Sequence, residues 1–475
     1  MIAKDKSDKF AHAGTPVVNV CRMIFSDMTQ NDSKMSWSRL ICDKRLGLEH
    51  YNDSNSGGIR SDFQRDYDRL IFSSPFRRLQ NKTQVFPLPG SIFVHNRLTH
   101  SLEVSSVGKS LAREVSKRLK RKYSGEEWAY KLDDISEIVS AACLAHDLGN
   151  PPFGHSGEKA ISSFFSEGEG AELKSLFTSD EWRDLIHFEG NANSFRQLVH
   201  QFAGRRPGGF AMTYSMLASI VKYPYSSSHA NEKGKFGFFT SEKAVFAKIA
   251  DELGIIKKGE DFYVRHPLVY LVEAADDICY QVMDLEDAHK LKIVNTRETL
   301  ELMLGFFPEV RKARMQEIMA GVSDKNEKVG YLRSCIIGTL VQECAEAFVL
   351  HEEEILAGEF EGCLIDHISR LTKDAYRACS DLAYEKIYRA SSVVEIDLAG
   401  NQIIAFLMKK LIDAVRYPEK NYSQLLLNKV PQQYEVHAPS LFGKIQAVLD
   451  HMSAMTDVYA LDLYRKLNGM SLPAV

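Results

Sequence analysis

From about residue 62 onward, apolar residues return every three or four positions, the spacing of helices that turn one face to a core. Residues 97–119 place Leu98, Leu102, Leu111, Val115 and Leu119 on one side, with His100 near the start. Residues 134–150 carry Ile135, Ile138, Val139, Ala142 and Cys143 on one stripe, with Asp134 available as an N-cap. Residues 267–288 predict an apolar helix with Leu268, Leu271, Val272, Ala275, Cys279 and Val282 toward the core. One segment alternates instead. Thr83–Phe86, a Pro-Leu-Pro-Gly turn and Ser91–Val94 predict a β-hairpin. Loops are expected at 204–209 and 223–237, a turn at 257–261, and a solvated acidic helix face over 351–361. No repeat of 20–50 residues is present. Residues 1–34 are polar without periodicity and are expected to form a disordered leader. The expectation is an all-α fold with a small β-hairpin. Its core spans 35–300, and a helical C-terminal region over 301–475 packs on that core and takes part in oligomer contacts.

Composition narrows the function. The chain has 475 residues, a length that suggests about three domains or one large helical unit. Lys and Arg number 59 against 63 Asp and Glu, a net charge of −4, which excludes a strongly basic nucleic-acid binder by overall charge but not a local basic groove. No apolar run approaches the roughly 20 residues that cross a bilayer, and no secretory signal opens the chain. Eight Cys without CxxC spacing argue against a disulfide framework or a thiolate zinc site, so a reducing cytoplasm is the expected setting. Fifteen His raise the question of whether a few cluster.

The next position on the 134–150 stripe is His146, followed at once by Asp147 and then by Gly149-Asn150-Pro151-Pro152, which ends the helix. A core-facing His needs a partner, because a buried unpaired polar group costs about 1–3 kcal/mol. The pair serves equally as a satisfied structural His beside a capping Asp or as two ligands for a divalent first-row metal. Two further helices favour ligands. Residues 97–119 carry His100, and on 267–288 Asp276 abuts the apolar stripe, where a carboxylate is costly unless paired or metal-bound. Tyr280 and Asp284 follow Asp276 at i+4 and i+8, so all three share a helix face.

The order His100, His146-Asp147, Asp276 resembles the H…HD…D signature of the HD phosphohydrolase superfamily. The likeness is closer still. RLIFSSPFRRLQNKTQVFPL, NRLTHSLEV, AHDLGNPPFGHSGEKAI, FEGNAN, EAADDICYQVMDLEDA and MTDVYALDLYRKL resemble the deoxyguanosine triphosphate triphosphohydrolase (dGTPase) family over residues 60–467. The resemblance implies an all-α HD core and hydrolysis of a deoxynucleoside triphosphate at the α-phosphorus to deoxynucleoside and inorganic tripolyphosphate. By motif match it makes His100, His146, Asp147 and Asp276 the metal ligands, a set suited to magnesium, manganese, iron or nickel.

The resemblance also makes His155 and Glu158 a catalytic dyad, the Glu orienting the imidazole and raising its pKa. Arg97, Asn191, Lys222 and Tyr223 match phosphate-contacting positions, with Lys235 a further candidate. Tyr280 would pack on C2′ of the sugar and exclude a 2′-hydroxyl, while Asp284 and Gln80 would bind the 3′-hydroxyl. Members of the family form ring-like oligomers, often hexamers, and some bind single-stranded DNA or are activated by other nucleotides. The competing readings are an HD phosphohydrolase acting on another nucleotide and a non-catalytic single-stranded nucleic-acid-binding scaffold. The scaffold would be marked by a lost ligand or a lost His155–Glu158 pair, and neither is lost.

Overall fold

The computed structural model describes residues 34–50, 60–86 and 94–470. The expected leader therefore falls almost wholly outside the described residues, as do the turn and most of the second strand of the hairpin expected at 83–94. At the base of that segment Thr83 and Asn96 form a single antiparallel bridge.

The elements used below are helices α1 (Asp62–Ile71), α2 (Arg97–Lys122), α3 (Ile135–Ala145), α4 (His155–Ser166), α5 (Gly190–Val199), α6 (Pro267–Lys290), α7 (Lys325–Leu350), α8 (Ser391–Arg416), α9 (Leu441–Ser453) and α10 (Asp457–Leu467). Further helices and 3₁₀ turns join them, and the fold is all-α. Strands β1 (Lys257–Gly259) and β2 (Phe262–Tyr263) form a small antiparallel hairpin where the sequence suggested only a turn. Strands of three and two residues in KKGEDFY are too short to show a two-residue period. Asp261, with φ at +51°, supplies the reversal, and Phe262 stacks on Tyr225 of the preceding loop.

α2, α3 and α6 pack together at the centre, with α1 against α3 and α7 against α2 and α6. Their meeting point is lined by small residues. A Cβ on Gly108 would lie 2.6 Å from Cys143 Sγ, 3.2 Å from Val139 and 3.3 Å from Ala275. Asp134 stands at the N-cap position of α3 as expected, but its side chain makes no capping hydrogen bond, because it also closes a 3₁₀ turn, Glu127–Asp134, that runs straight into the helix. The acidic stretch at 351–361 is not wholly solvated either. Glu352 is fully buried and accepts hydrogen bonds from Trp37 Nε1 (2.6 Å), Tyr123 (3.0 Å) and Lys122 (2.8 Å).

A second hydrophobic cluster joins residues 160–239 to 403–460, so the C-terminal helices share a core with the middle of the chain. Two polar junctions lock this arrangement. Lys82 is buried with its ammonium on the carbonyls of Asn150 and Ser453, both at 2.6 Å, and Asp457 accepts the N–H groups of Thr83 (2.7 Å) and Phe153 (2.9 Å). Arg196 of α5 grips Asp450 of α9 through two bonds of 2.9 and 2.8 Å and Glu242 through one of 2.5 Å, all three residues being buried. Removing one partner of a buried ion network strands the others without compensation. Arg196→Ala is expected to cost about 3–5 kcal/mol in chemical denaturation, with the C-terminal helices the first to become protease-sensitive.

Candidate active site

α2 begins where Asn96 and Thr99 form a capping box, which fixes the direction of the first turn and turns Arg97 and His100 inward, both buried. α3 stops at Ala145 and presents His146 and Asp147 at its C-terminal end. α6 crosses both and contributes Asp276. His100 Nε2 lies 3.0 Å from Asp276 Oδ1, and His146 Nε2 lies 3.5 Å from the same oxygen. The two imidazoles meet edge-on at 5.5 Å. His146 Nδ1 sits 2.6 Å from the Cys143 carbonyl, which holds a proton on Nδ1 and turns Nε2 toward the cluster. Ligand atoms of His100, His146 and Asp276 fall within 4.8 Å of one another. Two imidazoles and a carboxylate suit a divalent first-row cation.

Burial pushes the Asp276 carboxyl up, but His146 and His100 outweigh it and hold the group well below its ordinary range. Asp147 stands at the edge of this cluster. Its Oδ1 is 3.6 Å from His146 Nε2 and accepts from the Asn150 amide, while its Oδ2 accepts from Arg97 Nη1 at 2.7 Å.

The chain then makes a strained turn, with φ at +62° for Phe153 and +57° for Gly154, before α4 starts at His155. His155 Nδ1 lies 3.0 Å from Glu158 Oε2, one helical turn on. Glu158 Oε1 accepts the Gly190 N–H at 3.0 Å. A Cβ on residue 190 would come within 2.3 Å of that oxygen, so only glycine lets the carboxylate in. The bond to Glu158 raises the His155 pKa. Burial pushes Glu158 up, but His155, Lys235 and Arg97 together hold it below its ordinary value.

These groups open into one cavity of about 280 Å³. Its wall contains Arg97, His146, Asp147, His155, Glu158, Asn191, Lys222, Tyr223, Asp276 and Tyr280 from the sequence-based assignment, and Lys235 as well. His100 stands behind Asp276, its ring edge-on to Tyr280 with centroids 6.5 Å apart. Each cation has a carboxylate partner: Arg97 has Asp147, Lys222 has Glu273 at 3.0 Å, and Lys235 has Glu189 at 2.5 Å.

Two expected sugar contacts are not on the wall. Gln80 is exposed on the 3₁₀ turn Leu79–Asn81. Gln84, four residues on, lines the cavity instead, and its buried Oε1 has no hydrogen-bond partner among the described residues. The motif match alone points to Gln80; the 3₁₀ turn ends at Asn81, and the buried Lys82 ammonium ties the next stretch to the Asn150 carbonyl. Asp284 lies deeper than expected. It is buried, accepts the Tyr388 hydroxyl at 2.8 Å, and is pushed up to about 8 by burial. The Tyr388 ring stands 6.0 Å from that of Tyr280. Tyr388 follows a π-helical turn, Ala383–Ile387, about a hundred residues from α6, and no local pattern in the sequence links the two. Glu189, in the same FEGNAN motif as Asn191, also went unassigned, although a Glu next to the motif's Gly was visible in the sequence; its burial is seen only in the structure.

Comparison with known proteins agrees with this geometry. The HD domain family matches residues 97–209, starting at Arg97, and the phosphohydrolase-associated domain matches residues 367–466. A deoxyguanosinetriphosphate triphosphohydrolase-like protein of Pseudomonas aeruginosa (strain LESB58) is 36% identical over 454 residues, covering 93% of this chain and all of the relative. One from Synechocystis sp. is 35% identical over 92% of this chain and all of its own length. A deoxyguanosinetriphosphate triphosphohydrolase of Yersinia pestis (strain Pestoides F) is 30% identical over 85% of this chain and 93% of its own. Among the described residues no helix is long and apolar enough to cross a membrane. With relatives of 30–36% identity aligned over nearly their whole length, the chain belongs to the dGTPase family of HD phosphohydrolases.

Proposed function

We propose that this protein hydrolyses deoxynucleoside triphosphates, dGTP foremost, at the α-phosphorus, releasing deoxynucleoside and inorganic tripolyphosphate. The observation that carries this reading is the convergence on one cavity of His146 and Asp276, the His155–Glu158 pair, and three cationic side chains, Arg97, Lys222 and Lys235. A triphosphate is close to a tetra-anion, and positioning plus charge stabilisation is most of what phosphoryl-transfer catalysis requires. His100, His146 and Asp276, joined by Asp147, would hold a divalent metal such as magnesium, manganese, iron or nickel, which supplies Lewis-acid polarisation and a more acidic water.

The remaining work falls to side chains. Arg97, Lys222 and Lys235 trade their carboxylate partners for phosphate oxygens, and Asn191 and Tyr223 add neutral contacts. Breaking the bond between the α-phosphorus and the 5′-oxygen leaves an alkoxide that needs a proton. His155, kept cationic by Glu158, donates that proton, and a proton from the attacking water restores its charge. Tyr280, held between the His100 and Tyr388 rings, closes the space beside C2′ of the sugar. Gln84 takes the role in sugar recognition first given to Gln80, and Asp284 acts through Tyr388. The same reading places the protein in the cytoplasm as a homo-oligomer.

Incubation of the metal-loaded protein with each dNTP and with GTP is expected to release tripolyphosphate and nucleoside from dGTP. Pyrophosphate or single phosphate as the product would overturn the mechanism. Asp276→Ala is expected to remove bound metal, read by elemental analysis, and to lower turnover at least about a hundredfold. Full activity in the folded variant would contradict the ligand assignment. Tyr280→Ala is expected to narrow the gap between dGTP and GTP roughly tenfold in kcat/KM, and an unchanged ratio would remove the steric argument.

A further inference from the structure

α5 begins with an unusual cap. Short Ser, Thr, Asp or Asn side chains are preferred at a helix N-cap, yet here the position is Glu189. Its Oε2 does the capping, accepting the N–H of Asn191 at 2.6 Å and that of Ala192 at 3.4 Å. The extra length carries Oε1 to the cavity wall, where it accepts from the Asn191 side-chain amide at 3.0 Å and from the Lys235 ammonium at 2.5 Å. Glu189 is only 1% exposed, and a carboxylate buried that deeply is costly unless paired. Lys235 in turn sits 3.6 Å from Glu158 Oε2, the oxygen that holds His155. One ammonium therefore stands between two buried carboxylates, closer to the one that does not touch the dyad.

We propose that Glu189 is a positioning residue of the reaction, which holds Lys235 and Asn191 at the cavity wall and so keeps the Lys235 ammonium from displacing His155 on Glu158. The inference rests on the catalytic reading of His155 and Glu158. The charged groups facing His155 are Glu158 on its own helix, Arg97 from α2 and Lys235 from the 223–237 loop. On the outer side, α8 brings Asp397, which accepts a hydrogen bond from the neighbouring Ser156. With Glu189 neutral, Lys235 is drawn wholly to Glu158. It then competes for Oε2 and adds uncompensated positive charge beside His155, so the imidazolium is less stable.

Glu189→Gln keeps the cap, since the amide oxygen still accepts from Asn191, and replaces the charged acceptor facing Lys235 with an uncharged NH₂ donor. The first readout needs no substrate. In ¹³C-labelled protein, with the His155 resonance assigned by its loss in His155→Gln, the His155 titration is expected to move down by about half a pKa unit or more in Glu189→Gln. It is expected to return toward the original value in Glu189→Gln/Lys235→Met, where both charges are gone. An unmoved titration in Glu189→Gln, or no return in the double variant, overturns the proposal even if the protein folds normally. The second readout uses dGTP. Glu189→Gln is expected to lose roughly tenfold in kcat and to shift the His155 limb of the pH–rate profile to lower pH. A loss confined to KM with an unshifted profile also overturns it. If the parent protein itself turns over no deoxynucleoside triphosphate, the proposed function fails while the titration still decides the role of Glu189.

Discussion

The site exists because three helices approach closely enough for short side chains to meet. Helix axes in proteins usually stand 8–10 Å apart, and an imidazole and a carboxylate reach each other across that gap only where the crossing is lined by small residues. Gly108 on α2 is the tightest point, hemmed in by Cys143 and Val139 of α3 and Ala275 of α6. Ala275 directly precedes Asp276, and Cys143 both faces Gly108 and offers its carbonyl to His146. The residue that fixes helix spacing and the residues that orient the ligands are thus neighbours. A side chain at 108 would displace both the Cys143 turn and the Asp276 turn together.

The charges in the cavity follow a second rule. Arg97, Lys222 and Lys235 each rest on a carboxylate, and the carboxylates are buried more deeply than the lysines they hold. Such pairing keeps the cavity close to neutral, in keeping with a chain whose net charge is −4. It also sets a threshold for entry. A ligand must repay several broken ion pairs at once, which a multiply charged phosphate can do and a lone carboxylate or monoanion cannot.

How much of this was legible in the sequence depended on the range over which each signal acts. The helices carrying His100, His146 and Asp276 could be read because a 3.6-residue period is local and their polar residues interrupt it visibly. The His155–Glu158 pair could be read because both residues lie on one helical turn. Gln84 was missed in favour of Gln80 because both glutamines lie in the same matched block, and only the turn at Leu79–Asn81 and the buried Lys82 decide which one faces the cavity. Tyr388 was missed because only tertiary packing brings it to Asp284 and Tyr280. Glu352 was read as solvated because acidic runs usually are. Its burial depends on Trp37, Lys122 and Tyr123, three residues more than two hundred positions away in the chain.

The junction at Lys82 and Asp457 bears on what counts as a unit of this protein. The positive φ angles at Phe153 and Gly154 place His155, and they are held from outside the HD segment. Asp457 anchors the Phe153 N–H, while Lys82 ties the Asn150 carbonyl to that of Ser453. Burial brings the Lys82 ammonium down to about 7, and the nearby Asp457 opposes that fall. The two matched family segments, 97–209 and 367–466, are therefore not an enzyme with an appendage. The second is the outer half of the mould in which the first one's His155 turn is cast.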